Sequence, residues 1–255
     1  MLVLHPKKEK EVVVMNQQTA GLYHGEKVEQ YYEVVKGGSS EETGGIDEKI
    51  FQHLLGELPI SLHGKRALDL GCGDGRWSKV LHERGADVIA VDKSPEMLAR
   101  VSQRKKGHEL ERLTLLQADM QELPLPDTSI HLALASFCLM YFSNLEPIIG
   151  EIARVLVPGG SLFIATNLVE IHPPALVHQL EGKVVPIEAC LNDKTILLDN
   201  VVQPLSRYLD AFRVAALSVR SYLQFEPEGF FFRCSLNFNP VYFCFFHFSN
   251  PTLLD

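Results

Sequence analysis

Three glycines at alternate positions, Gly71, Gly73 and Gly75, and three carboxylates, Asp69, Asp92 and Asp119, are the residues best suited to hold a ligand. They lie in three short segments, ALDLGCGDGRW at 67–77, VIAVD at 88–92 and LLQAD at 115–119. A glycine turn that feeds a helix brings backbone N–H groups close to a ligand, because no Cβ blocks the approach. A carboxylate that ends the second strand of such a unit suits a ribose diol, since it accepts from both hydroxyls. Helix capping by each acid is the plain alternative, because its charge suits the helix dipole. Three acids together with the glycine turn favour the ligand reading. The dinucleotide fingerprint requires GxGxxG, and Arg76 stands where its third glycine belongs, which disfavours NAD or FAD.

The surrounding pattern supplies the elements that must position these residues. Short apolar runs at Ala67–Leu70, Val88–Val91, Leu113–Leu116, Ile130–Ser136 and Ser161–Thr166 predict strands. Between them Arg76–Glu83, Pro95–Arg104 and Leu145–Leu156 predict helices. Strands alternating with helices at this spacing imply βαβ units, an α/β fold with a parallel sheet, and ligands bound beyond the carboxyl ends of the strands. Residues 1–60 are expected to form a helical N-terminal extension or lid, with helices over Glu26–Val35 and Ile46–Leu58, and residues 61–255 the main domain. Residues 167–200 carry three prolines and weak periodicity, so an irregular, substrate-facing insertion is expected there. Pro204–Ala216 then predicts a helix, and Val219–Phe225 and Val241–Phe248 predict strands closing the sheet as an antiparallel edge. Thirteen aromatic residues fall between Tyr208 and Phe248; of these, Phe230–Phe232 are left in the loop between the last two strands, free to line a pocket.

Composition narrows the function classes. The 255 residues carry a net charge of −8, which argues against a protein built to wrap a phosphate backbone, so nucleic acid is not an expected partner. The five cysteines are scattered and never form a CxxC pair, so neither a disulfide framework nor a metal site is implied. No secretory signal or membrane-span pattern is present, and a cytoplasmic protein without membrane contact is expected.

The segments ALDLGCGDG at 67–75, VIAVDKSPEMLARV at 88–101, QADMQELPLPDTSI at 117–130 and IARVLVPGGSLFIA at 152–165 together resemble the class I S-adenosylmethionine-dependent methyltransferases. Within that class the similarity is to the small-molecule group related to ubiquinone and biotin biosynthesis. The resemblance implies a Rossmann-like, mostly parallel seven-stranded sheet with an antiparallel last strand and helices on both faces. It implies S-adenosylmethionine as cofactor. By matching position, Gly71, Cys72 and Gly73 would pass beneath the methionyl moiety with backbone contacts, and Asp69 would bind its amino group directly or through water. Asp92 would hold the ribose hydroxyls, with Lys93 and Met97 beside the adenine. Asp119 would accept from the exocyclic amine, Met120 would offer a backbone N–H, and Ser136 would approach the methionyl or methyl end. Two departures stand out: Ile130-His131 replaces the family's frequent Phe-Asp, and CLMYF at 138–142 replaces a common His-containing stretch.

Methyl transfer from a sulfonium to a small organic O, N or C nucleophile rests largely on alignment and exclusion of water. A base is needed only where the acceptor must lose a proton. His172 is the preferred candidate, with Tyr141 second and His178, Tyr31 and Tyr32 behind them; Cys72 reads as a small filler and Trp77 as packing for the first crossover helix. Protein or RNA methylation and a non-catalytic regulator that retains the nucleotide site are the rival functions.

Overall fold

The computed structural model describes residues 12–14, 62–108, 110–169, 181–191, 194–201, 203–225, 231–234 and 241–250. The helices expected at 26–35 and 46–58, together with Tyr31, Tyr32, His172 and His178, lie outside the described residues.

Strand β1 spans Val12–Val14, and the main alternation starts with β2 at Arg66–Leu70. Helix α1, Arg76–Glu83, follows the glycine turn, and β3 spans Asp87–Asp92. Next come α2 at Pro95–His108, β4 at Leu113–Gln117 and β5 at Ile130–Ser136. A 3-10 turn at Leu139–Tyr141 leads to α3, Glu146–Val155, and to β6, Leu156–Val169. The remainder is β7 (Val184–Leu191), β8 (Lys194–Val201), α4 (Leu205–Val214), β9 (Ser218–Phe225), β10 (Phe231–Cys234) and β11 (Val241–Ser249).

The main sheet has the order β4-β3-β2-β5-β6-β11-β9. Its first five strands run parallel. Chain order reverses direction between β2 and β5, which opens a crevice beyond their carboxyl ends. Strand β11 is antiparallel to both β6 and β9, so the edge is β9 and β11 lies inside.

Period-two alternation divides the parallel strands between two cores. Leu68, Leu70, Ala133, Ala135, Leu162 and Ile164 face α3 and α4, whose Ile148, Ile152, Tyr208 and Phe212 cover that side. Ala67, Val88, Ala90, Leu132, Leu134 and Phe163 face α1 and α2, where Trp77, Leu81, Leu98 and Val101 close the other. The result is a helix–sheet–helix sandwich.

A second sheet departs from the sequence expectation. Residues 184–201, expected to be irregular, form an antiparallel hairpin of β7 and β8, extended by β1 and β10 in the order β1-β8-β7-β10. Pro186 made this stretch read as a breaker, since proline cannot donate in a ladder. It pairs with Asp199 on one side, while β10 reaches only as far as Ile187 on the other. Phe231 and Phe232, expected in a free loop, are likewise paired, with Cys190 and Ala189.

Candidate functional site

The glycine turn is forced by its surroundings. Gly71 and Gly75 have φ of +65° and +78°, and a Cβ on either would come within 2.6 Å of Cys138 Cβ or Val101 Cγ1. Gly73 is also left-handed, at +54°, yet a Cβ there would meet nothing within 4 Å. Its exposed side faces open space, which is the cradle a ligand would occupy.

Beneath that cradle lies Asp92, the last residue of β3. Its Oδ2 accepts the Gly73 N–H at 2.9 Å and its Oδ1 accepts the Ser94 N–H at 2.9 Å. Burial pushes the Asp92 carboxyl above its ordinary value, against these backbone donors. Each carboxylate oxygen retains a further lone pair, so a vicinal diol can still be accepted.

The N–H groups of the turn are largely spent. Cys72 N–H donates to Val91 O at 2.9 Å, Cys72 O accepts from Gly75 N–H at 2.9 Å, and Gly73 N–H is taken by Asp92. Cys72 thus shapes the loop with its backbone and packs its buried side chain into the core. A pyrophosphate needs unpaired N–H donors at this place. Here it would meet paired donors and a carboxylate. A ligand with a cationic centre is the better electrostatic match.

Asp69 stands behind the turn rather than in it. It is 1% exposed, and its Oδ2 accepts the Ser78 hydroxyl at 2.5 Å, tying β2 to α1. The expected amino-group contact, direct or through water, would be made from this buried position. Asp74, which the sequence reading passed over, is also buried and accepts the Arg76 N–H at the start of α1.

Lys93 Nζ and Asp119 Oδ2 pair at 2.8 Å across the ends of β3 and β4. Asp119 Oδ1 accepts the Gln121 N–H at 3.0 Å. Desolvation raises the Asp119 carboxyl, but the Lys93 and Gln121 donors outweigh it and hold the group below its ordinary value, so it remains an acceptor. Ser94 caps α2 by accepting the Met97 N–H at 3.2 Å, and Met97 is buried. The Met120 Cε lies 3.5 Å from where a Gly71 Cβ would sit, so the loop after β4 touches the glycine turn.

At the end of β5, Ser136 Oγ accepts the indole N–H of Trp77, the chain's single tryptophan, at 3.1 Å. This joins the start of α1 to the expected acceptor side. Phe137 follows with φ of +50°, a costly conformation for an aromatic residue. Cys138 tucks under Gly71 and donates to Leu70 O at 3.2 Å. Burial first, then the Asp69 and Asp92 charges, push both the Cys72 and Cys138 thiols well up. Neutral thiols are poor nucleophiles. His131, the first departure from the family pattern, sits at the amino end of β5, where its Nδ1 accepts the Arg66 N–H, on the side away from the crevice.

Tyr141 is half-buried in the 3-10 turn beyond β5. That turn is braced by Gln203, whose Nε2 donates to Phe142 O and Ser143 O at 2.9 Å. Among the described residues no group of His, Cys, Asp and Glu is arranged to hold a metal, and no helix is long and apolar enough to cross a membrane.

Residues 68–164 match the family model described as a methyltransferase domain. The malonyl-acyl-carrier-protein O-methyltransferase of Serratia marcescens is 33% identical over 129 residues, covering 51% of this chain and 48% of that one. The demethylmenaquinone methyltransferase of Thermus thermophilus is 36% identical over 120 residues, 46% of this chain and 52% of that one. The chain thus spans about half the length of the curated relatives it matches. In fold it is similar to the 4+2 cyclase SpnF, with a TM-score of 0.66 and 16% identity over 96% of this chain and 100% of that one. The geranyl diphosphate C-methyltransferase of Streptomyces coelicolor superposes with a TM-score of 0.60 at 15% identity, over 80% of this chain and 76% of that one.

Proposed function

We propose that this chain, whose residues 68–164 match a methyltransferase domain, is a class I S-adenosylmethionine-dependent methyltransferase that transfers a methyl group to a small organic acceptor. The observation that carries this reading is the Gly73–Asp92 hydrogen bond under an open left-handed glycine. This bond supports the reading because Asp92 would then be available to a ribose diol, while the Gly73 N–H that a pyrophosphate would need is taken.

Bound there, S-adenosylmethionine supplies an electrophilic methyl group on a sulfonium whose leaving group is a neutral thioether. Asp92 would hold the ribose, and Lys93, Met97, Asp119 and Met120 would surround the adenine. Gly71 and Gly73 would present a flat backbone face to the methionyl part. Asp69 would reach that part through water, and Ser136 would stand near the reacting end. The raised thiols of Cys72 and Cys138 remain protonated, so they do not compete for the methyl group. In-line attack forms the bond between acceptor and carbon as the carbon–sulfur bond breaks, and alignment supplies much of the rate.

We read the sheet, with β11 reversed between β6 and β9, as the family's seven-stranded core, and residues 1–60 as an N-terminal extension. That extension is not wholly the expected helical lid, because Val12–Val14 form strand β1 of the second sheet. Residues 167–200, now containing the β7–β8 hairpin, would face the acceptor. His172, and then Tyr141, would act as base for an acceptor that must lose a proton; the chain would work in the cytoplasm. The names of the relatives suggest the first acceptors to try, malonyl-acyl-carrier protein and demethylmenaquinone. Transfer of labelled methyl to a component of such a panel, weakened by Asp92→Ala at subsaturating S-adenosylmethionine, supports the proposal. Binding of S-adenosylhomocysteine without transfer to any component of a metabolite extract favours a cofactor-binding regulator instead.

A further inference from the structure

The connection from β4 to β5, residues 118–129, contains no helix, yet it carries Asp119 and Met120. It is held by α3. The guanidinium of Arg154 donates from Nε and Nη2 to the two Glu151 oxygens at 2.7 Å each, from Nη1 to Leu125 O at 2.8 Å and Asp127 Oδ1 at 2.6 Å, and from Nη2 to Leu123 O at 2.9 Å. Glu151 Oε2 in turn accepts the Leu123 N–H at 2.7 Å, so Leu123 is gripped by both its backbone groups. Further on, the Thr128 N–H donates to Arg154 O at 2.9 Å and the Ser129 N–H to Val155 O at 2.8 Å. Thr128 has φ of +48°, a conformation that a β-branched residue takes only when its surroundings impose it.

The grip lies four residues from Asp119. Between them a tight turn closes, with the Glu122 N–H on Asp119 O at 3.1 Å and the Gln121 N–H on Asp119 Oδ1 at 3.0 Å. That turn sets the direction of the Asp119 carboxylate toward Lys93. A planar guanidinium with forked donors can satisfy two carbonyls and two carboxylates in fixed directions; an ammonium cannot.

We propose that Arg154, with Glu151, is a positioning residue for the nucleotide end of the cofactor: by clamping residues 123–127 to α3 it fixes Asp119 and Met120 against the adenine. The inference rests on the cofactor reading above. The Arg154 guanidinium meets Glu151 and residues 123–127, so it acts through the loop.

The test is a double-mutant cycle on S-adenosylhomocysteine affinity, read by calorimetry in the full chain well below its melting temperature. Arg154→Gln is expected to weaken binding about tenfold while the circular dichroism spectrum is retained, and Arg154→Lys to recover only part of the loss. In an Asp119→Asn background the same Arg154→Gln change should cost less than about threefold, because its effect passes through Asp119. In an Asp92→Asn background it should keep its full tenfold. Should Arg154→Gln not fold, Asp127→Asn removes one contact at an exposed residue and is expected to weaken binding about twofold. Unchanged affinity in a folded variant with a lowered melting temperature would overturn the proposal and leave Arg154 a purely structural clamp. So would a loss equal in both backgrounds. A wild-type chain that does not bind S-adenosylhomocysteine overturns the cofactor reading itself, a result distinct from either.

Discussion

Gly73 donates its backbone N–H to Asp92 Oδ2 at 2.9 Å, joining the turn after the first parallel strand to the carboxylate that ends the second. One hydrogen bond thereby ties the shape of the turn to the orientation of the carboxylate proposed to accept the ribose diol. Asp92→Ala is expected to weaken S-adenosylhomocysteine binding by about 1–3 kcal/mol, the usual cost of removing a buried acceptor from its donors. Titration calorimetry checks this, and an unchanged dissociation constant removes Asp92 from its assigned role.

Glycine substitutions should separate architecture from binding. Gly75→Ala drives a Cβ into Val101 on α2 and should lower the melting temperature sharply. Gly73→Ala meets no protein atom, so beyond the backbone strain of about 1–3 kcal/mol its main effect should fall on ligand affinity. Melting curves with and without S-adenosylhomocysteine distinguish the two. Equal loss of affinity and stability in both variants contradicts this division.

The two buried thiols should be inert in the folded chain. Mass mapping after a thiol reagent at neutral pH should find Cys72 and Cys138 labelled roughly a hundredfold more slowly than in urea, because reaction awaits local opening. Rapid labelling of either would show that it is not held protonated beneath the glycine turn.

Acid should release the loop clamp. The Arg154 hydrogen bonds hold Glu151 below the ordinary glutamate value of 4.5 against its desolvation. A carboxyl with a depressed folded value contributes stability that is present above 4.5 and is lost as pH falls through the lower, folded value. The melting-temperature gap between wild type and Glu151→Gln should therefore be widest near neutrality and close below that pH. A gap independent of pH would show that the Glu151 charge adds nothing.

Much of this was legible in the residues. Helix α1 spans Arg76–Glu83, as its apolar spacing predicts, and the five parallel strands fall where the short apolar runs lie. Local periodicity reports these elements because each buries its own face. The hairpin at 184–201 was not legible, because Pro186 disguises a strand whose second neighbour ends just before it. The order of β9 and β11 at the antiparallel end of the sheet is a long-range choice that no local pattern encodes. Within the site, Asp92 could be read from its place at a strand end. The engagement of Asp69 with Ser78, the loss of the Cys72 N–H to Val91 and the Arg154 clamp are tertiary pairings. Only the i, i+3 spacing of Glu151 and Arg154 hinted at the last of these.

Titration of the wild-type chain with S-adenosylhomocysteine and, separately, with NADH tests the central claim most directly. Saturable heat with S-adenosylhomocysteine and none with NADH is the predicted result. Heat with NADH and none with S-adenosylhomocysteine would contradict the cofactor site as built from Gly73 and Asp92.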